Sequence, residues 1–419
     1  MLKNKQKAIR MLILIVIAVV IIGTGKWLWT AIQPKKAIVI NNQDKKGEEV
    51  ESKIEYEIVD TTVEQLKDNK PLTIVAVDKI SYVDSLWSVY GYIYDNKVIT
   101  NYMIGEKEDP KTIAESNKLY LLDISTGNKE LLVDKYSEIK QISADGMKVI
   151  YQTSSEDNIV NYIYDVKIKQ KKILGKGIIG GVFSKDSSKF IFCNWNDNVI
   201  NKINIYDIKN DKVSSIGYNS KDIKLGNVIG IESDDLYFSG AEQKNDNIRQ
   251  GVYKLNLKDS SDTKMIFAFP FNKKSNCLGI AGGDRGANFN VINNGNSIIF
   301  SGVINKKWGI FIFDIASNKI YQVALTNNIN YYLSPDKSKL IYVYSSEGNS
   351  DSNLNVYADS IENNKLYNIT EIKLDNNIIN ADAFWSVDSK KALLLEYGEK
   401  DLKTMACPRY LKLVTLENK

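Results

Sequence analysis

The sequence predicts an all-β chain folded as a β-propeller of four-stranded blades and preceded by one N-terminal transmembrane helix. Three observations predict it. After residue 80 the 419-residue chain shows short runs of Ile, Val, Tyr and Phe and no long 3.6-residue periodicity. A Ser-x-Asp turn recurs every ~40–50 residues, each time followed by an apolar strand and then by a second strand ending in Asp or Asn. One uncharged apolar stretch stands behind a cluster of basic residues near the N-terminus.

That stretch comes first in the chain. Lys3, Lys5, Lys7 and Arg10 precede the uncharged run Met11 to Gly25, and Lys26, Trp27 and Trp29 lead on to Ile32. At a rise of ~1.5 Å per residue the run alone falls short of a ~30 Å hydrocarbon core, whereas extension to Ile32 spans it. The two tryptophans fit an outer interfacial belt, and the basic start holds the N-terminus in the cytoplasm. Residues 1–10 are therefore read as a cytoplasmic basic segment and 11–32 as an uncleaved signal anchor. Residues 33–54, rich in Lys, Glu, Gln and Asn, read as a solvated tether, and 55–419 as an extracytoplasmic propeller. A cleaved signal peptide is the alternative: its regions stand in the usual order, but Ala-x-Ala is absent, and a first cysteine at Cys193 excludes a lipoprotein box.

The repeat follows. Its first turn reads Ser143-Ala-Asp145-Gly146, Ser184-Lys-Asp186, Ser233-Asp234-Asp235, Asn293-Asn294-Gly295, Ser334-Pro-Asp336 and Ser386-Val-Asp388, with Tyr94-Asp95-Asn96 as a degenerate earlier copy. An apolar strand follows each turn, as in Lys148-Val-Ile-Tyr151 or Lys339-Leu-Ile-Tyr-Val343, and a partner strand follows that, as in Tyr162-Ile-Tyr-Asp165 or Ile310-Phe-Ile-Phe-Asp314. The partner strands end at Asp123, Asp165, Asp207, Asn256, Asp314 and Asp359, spaced by 42, 42, 49, 58 and 45 positions, about the length of one blade. Naming the strands a to d from the channel outward, seven copies make a seven-bladed ring, with six and eight blades as alternatives. The last unit reaches Lys419 without its d strand, which 72–77 or 54–59 is placed to supply.

Phe183-Ser-Lys-Asp186-Ser-Ser-Lys189-Phe-Ile-Phe192 with Asn204-Ile-Tyr-Asp207-Ile208, together with Leu333-Ser-Pro-Asp336, resembles the TolB-like family of propellers, also called WD40-like β-propeller repeats. The resemblance covers about residues 80–416. It implies the architecture and carries almost nothing about activity, since such repeats occur in periplasmic scaffolds, peptidase gating domains and cell-surface binders.

Composition narrows the chemistry. The chain has no histidine, which removes His-based triads, His general bases and His-ligated metals. Of the net charge of +4, four positives lie in the first ten residues, and the chain beyond residue 54 comes to −2, so there is no basic footprint for nucleic acid. Cys193 reads as a buried small hydrophobe, and Cys277 and Cys407 sit in loops. The repeated aspartates read as turn caps rather than ligands, and the strand aromatics Tyr151, Phe192, Phe313 and Tyr342 as packing between blades.

Binding is expected on the face that carries the b–c and d–a loops. Candidate ligand-binding residues are Trp195, Arg249, Asp284, Arg285 and Arg409. Asp284 and Arg285 belong to a Gly-rich insertion, 271–290, that lacks the Gly-Lys-Ser/Thr ending of a phosphate loop. The three arginines stand out in a chain with 51 lysines, and three converging guanidinium groups would hold a carboxylate or phosphate.

No catalytic residue, metal site or cofactor is expected. The function class is a non-enzymatic binding or scaffold module. Its partners are the cytoplasmic membrane, through the N-terminal helix, and an envelope protein or cell-wall ligand, with no nucleic acid. A propeller hydrolase of glycosidase or sialidase type, or an accessory subunit that gates a separate peptidase, is the alternative. Against these, the turns lack the Thr-Trp of sialidase boxes, and Gly-x-Ser-x-Gly is absent.

Overall fold

The computed structural model describes residues 56–60, 72–81, 86–102, 118–134, 137–155, 158–194, 202–217, 223–244, 247–268, 279–280, 289–304, 307–326, 330–344, 354–362, 364–399 and 408–418. The expected basic segment, signal anchor and tether lie outside them. Among the described residues no helix is long and apolar enough to cross a membrane.

The described strands form seven antiparallel-built sheets, six running a-b-c-d outward in chain order and the seventh taking its d strand from before blade 1. Blade 1 is Leu86–Tyr92, Lys97–Tyr102, Leu119–Asp123 and Lys129–Val133; blade 2 is Ser137–Ile142, Lys148–Ser155, Asn158–Asp165 and Gln170–Lys176. Blade 3 is Ile178–Phe183, Lys189–Asn194, Lys202–Asp207 and Lys212–Gly217; blade 4 is Ile223–Glu232, Asp235–Lys244, Asn247–Asn256 and Thr263–Ala268. Blade 5 is Phe289–Ile292, Ser297–Ile304, Lys307–Asp314 and Lys319–Leu325; blade 6 is Tyr331–Leu333, Lys339–Tyr344, Asn355–Glu362 and Lys365–Ile372. Blade 7 is Ile378–Trp385, Lys391–Gly398 and Arg409–Asn418, completed by Leu72–Ile80.

Leu72–Ile80 is the d strand of blade 7, antiparallel to Arg409–Asn418 from Leu72↔Asn418 to Ile80↔Leu411. Of the two segments placed by sequence to close the ring, this one does so. The other, Glu57–Asp60, is used elsewhere: it runs parallel to Lys319–Leu325 as an extra outer strand on blade 5. Tyr56, just before it, fills the gap between blades 4 and 5. Its hydroxyl donates to Ala268 O (2.9 Å) and accepts from Ala268 N–H (2.9 Å), and its ring meets Phe267 and Phe313 at 5.4 and 5.3 Å.

The cores lie between blades. Ile80, Leu86, Val98 and Leu122 pack with Leu393 and Leu411 across the blade 7–blade 1 seam. Leu72 joins Ile341, Val356, Ala392 and Val414 between blades 6 and 7. Tyr151, Phe192, Phe313 and Tyr342 are buried in such clusters, as strand aromatics of alternating sheets should be. Cys193 is buried and free, its thiol pushed up to about 12 by burial.

The repeated turns are built around serine. In four blades the turn serine donates its hydroxyl proton to the Asp two residues on, at 2.5 Å (Ser143, Ser334) or 2.6 Å (Ser184, Ser386). The same oxygen accepts the backbone N–H five residues on, at 2.8–2.9 Å. The Asp in turn accepts the N–H two residues beyond it, at 3.0–3.1 Å. The fourth turn position lies in the left-handed region in all four blades: Gly146, Ser187, Lys337 and Ser389. Only at Gly146 is a side chain impossible, because a Cβ would meet Tyr94 N at 2.7 Å and Val387 Cγ2 at 2.8 Å. Ser187 and Ser389 reach back to accept Asp145 N–H and Asp336 N–H of the preceding blade, each at 3.2 Å.

At the c–d turns Asp123, Asp165, Asp207, Asn256 and Asp314 accept backbone N–H groups two or three residues on. Asp359 differs. A register shift between Ala358 and Ser360 lets its strand continue to Glu362, and the buried Asp359 carboxylate takes the adjacent Ser360 N–H.

Two predictions test this architecture. Leu72 is buried in the closing strand, so Leu72→Ala leaves a cavity and lowers stability by about 3 kcal/mol, read as a lower midpoint in urea unfolding. The second concerns acid. Hydrogen bonds from Ser125 hold the Asp123 carboxyl below its ordinary value, and those from Ser184 do the same for Asp186. Their stabilisation is thus present above the ordinary carboxylate value of 3.8 and is lost as pH falls through the lowered folded values. A double Asp123→Asn, Asp186→Asn variant should be less stable than the parent at neutral pH and lose less of its stability on acidification to about pH 3.

Candidate functional site

The inner strands of all seven blades line one central cavity of 530 Å³ at the a–b turn end, where Lys140, Lys185, Tyr332, Lys337, Trp385 and Val387 contribute. Two contacts that each step over a blade narrow that end. Val387 of blade 7 lies beside Gly146 of blade 2, and Lys337 of blade 6 is ion-paired with Glu232 of blade 4.

The opposite end, where inner strands begin, carries the chemistry. Trp87 is the second residue of the blade 1 inner strand, and its indole is 40% exposed. Arg409, the first residue of blade 7's c strand, lays its guanidinium over the Trp87 ring at 4.3 Å and over the Tyr397 ring at 5.5 Å. Such cation–π contacts contribute about 0.5–2 kcal/mol each and fix the guanidinium plane. Tyr397 then donates to Asp382 Oδ2 (2.6 Å), and Tyr332 of blade 6 donates to Asp382 Oδ1 (2.6 Å). Burial first and this carboxylate second push both phenols far above their ordinary range, so they remain protonated donors. Trp385 Nε1–H donates to Tyr332 O (2.9 Å) and fixes that ring's strand. A continuous path of polar and aromatic groups thus runs from the rim at Trp87 to Tyr332 in the cavity wall.

Behind it lies a buried ion pair. Glu396 is 0% exposed and stands 2.6 Å from Lys412 on the next strand. Burial pushes the Glu396 carboxyl up, against the pull of Lys412. Lys412 also reaches Asp375 (3.2 Å) and Lys373 O (3.2 Å), and Lys79 of the closing strand pairs with Asp375 at 2.9 Å. The network ties the blade 6–blade 7 connection to the closing strand. Its groups are engaged with one another, which suits a structural role.

Of the five residues singled out by sequence, Arg409 falls in this cluster. Trp195, Asp284 and Arg285 lie outside the described residues, as do Cys277 and Cys407. Arg249 stands on the b–c face, but on a strand rather than in the expected loop: the ladder of Asp235–Lys244 with Asn247–Asn256 continues through Glu242↔Arg249 to Lys244↔Asn247. Backbone pairing there does not require an apolar pattern, which is why the polar sequence reads as a loop. Its blade 4 and the blade 7 of Arg409 stand across the ring from each other. Among the described residues no group of His, Cys, Asp or Glu could hold a metal ion.

Trp87, Tyr332, Asp382 and Tyr397 were not marked by sequence. Asp382 did leave a signal: it is an acid inside the apolar run Asn380-Ala-Asp382-Ala-Phe-Trp385, ahead of the turn where the repeat places its own Asp. Trp87 left a weaker one, as the tryptophan of a degenerate first repeat.

No protein-family model matches the chain, and no curated protein matches it. Solved structures do. The chain is similar to oligogalacturonate lyase in complex with manganese, at 12% identity over 84% of this chain and 98% of that one, with a TM-score of 0.50. It is similar to the β-propeller domain of the Trilobed protease from Pyrococcus furiosus, which has an open velcro topology, at 13% identity over 80% and 94%, TM-score 0.50. A match to TolB from Acinetobacter baumannii has 14% identity and TM-score 0.39, and covers 63% of this chain and 64% of TolB. The chain thus spans just under two thirds of TolB. At these identities the likeness is one of fold alone, a β-propeller.

The ion pair gives a test of the site's frame. Lys412→Met strands the buried Glu396 charge and costs about 3 kcal/mol. Adding Glu396→Gln removes that charge and should recover most of the loss, as measured by urea unfolding of the single and double variants.

Proposed function

We propose that this protein is a membrane-anchored, extracytoplasmic, non-enzymatic binding module that holds an envelope component on the b–c/d–a face of its propeller. One observation carries the reading: on that face, at the seam of blades 7 and 1, Trp87 is 40% exposed with the Arg409 guanidinium stacked on its ring at 4.3 Å, and Tyr410, on the other side of the strand that carries Arg409, is 41% exposed. The repeated acids support it from the other side. Serines and backbone N–H groups of their own turns engage Asp145, Asp186, Asp336 and Asp388, and Asp382 is held by two tyrosines. A hydrolase would need a carboxylate free to act as acid, base or nucleophile, and these acids are committed to structure. The anchor rests on the sequence of residues 1–32, with basic residues inside and Trp27 and Trp29 at the outer interface.

A photo-crosslinking amino acid at Tyr410 in intact cells should capture one envelope component reproducibly. The same group at Ile168, exposed on a c–d turn of the opposite face, should not. Equal capture from both positions, or none from Tyr410, removes the reading. Loss of residues 1–32 should move the chain from the membrane to the soluble fraction.

A further inference from the structure

We propose that the outer edge of blade 2 docks the propeller on an anionic lipid surface, with Lys167 and Lys171 meeting phosphate headgroups and Ile168 and Ile173 entering the headgroup layer. This rests on the reading of residues 1–32 as a membrane anchor, and it adds a contact made by the propeller itself.

The apolar groups come first. Ile173 and Ile168, at 61% and 58%, are the most exposed large hydrophobic side chains among the described residues. They belong to one continuous edge: Ile168 lies in the c–d turn after Asp165, and Ile173 in the outer strand Gln170–Lys176. Val213, 47% exposed, extends the patch onto the outer strand of blade 3, where Asp211 pairs with Lys172.

Charge is the second element. Residues 158–176 hold five lysines against one acid, a net +4, in a chain that comes to −2 beyond residue 54. The one acid, Asp165, is paired with Lys148 at 2.7 Å. Lys169 and Lys172 pair with Glu130 and Asp211 on the neighbouring blades, through exposed contacts that cost little to exchange. Lys167 and Lys171 are exposed, and their ammonium groups have no ion pair among the described residues.

The composition of the edge selects its occupant. Separate aliphatic side chains set among long, flexible lysines suit a lipid interface, where apolar tips enter the headgroup layer and ammonium groups reach phosphates. The core of a protein interface is instead depleted in lysine and enriched in aromatic residues and arginine, and a single-stranded nucleic acid needs stacking rings. Residues 158–176 contain no arginine, and Tyr162 and Tyr164 pack into the core between blades 1 and 2. An anchored propeller meets its bilayer at high effective concentration, so a weak patch suffices. Docking by one edge leaves the b–c/d–a face open to its partner.

The test reconstitutes the full-length chain in vesicles of phosphatidylcholine with phosphatidylglycerol, and of phosphatidylcholine alone. A fluorescent amino acid at Ile173, or at Trp308 on blade 5 as the control, is read through quenching by headgroup-labelled lipid. Position 173 should be quenched in the anionic vesicles, and the docked-to-free ratio should fall about twentyfold in the neutral ones, about fivefold for each unpaired lysine. Lys167→Gln combined with Lys171→Gln should produce the same fall in the anionic vesicles while melting like the parent. Position 308 should show only background quenching. Equal quenching at 173 in both vesicles, no effect of the double variant, or equal quenching at 308 overturns the proposal. A chain that floats with the vesicles but is not quenched at 173 overturns the docking and leaves the anchor standing; one that does not float removes both. Capture of a polypeptide from a crosslinker at Ile173 in cells replaces the lipid with an acidic protein and overturns the proposal as well. A crosslinker at Ile168 should meet lipid alone, and so remains the control for capture of a protein or cell-wall ligand from Tyr410.

Discussion

Closure of the ring by the strand Leu72–Ile80 is the constraint on which the rest of the structure depends. The described cores lie between blades, so each sheet buries its two faces only when it has a neighbour on both sides. A ring meets that condition for every blade, and a linear stack leaves two faces bare. The closing strand meets it at the one place where chain order cannot, by pairing a segment near residue 75 with Arg409–Asn418. In chain order the next described strand is Leu86–Tyr92, the inner strand of blade 1.

The turns show how a repeat keeps its geometry without conserving its apolar residues. The serine hydroxyl that accepts one backbone N–H and donates to the Asp fixes the a–b reversal within six residues. Because the fourth turn residue points to the preceding blade, the same local motif also sets spacing between blades at Ser187 and Ser389. That double use explains one Ser and one Asp per blade better than any shared ligand, since the carboxylates sit at intervals around the turn face and do not approach one another.

Most of the fold was legible for this reason. Turn serines and aspartates are local signals, and the strands between them alternate as strands must. What escaped was made by partners far apart in sequence. Trp87 and Arg409 meet because blades 1 and 7 meet, and nothing around either residue reports that. The parallel strand Glu57–Asp60 on blade 5 was equally hidden, because its apolar pattern fits closure of blade 7 as well as it fits the edge it covers. The extended blade 4 hairpin was hidden by polarity, since its ladder rests on backbone hydrogen bonds. Among the candidate site residues, Arg409 was found through the rarity of arginine, a chemical signal rather than a structural one.

The candidate site and the closure are one physical object. Trp87 belongs to the strand that follows the closing segment. Arg409 opens the strand against which that segment pairs, and Lys79 within the segment holds Asp375 beside the buried Glu396–Lys412 pair. Any loosening of Leu72–Ile80 therefore changes the spacing of Trp87 and Arg409 before it disturbs the distant blades. A ligand that bridged the two residues would bind the closed ring and not the open one, so its binding free energy would add to the stability of closure by mass action. Binding at the seam would thereby couple occupancy of the rim to the integrity of the whole propeller. A site of the same chemistry within a single blade would have no such coupling.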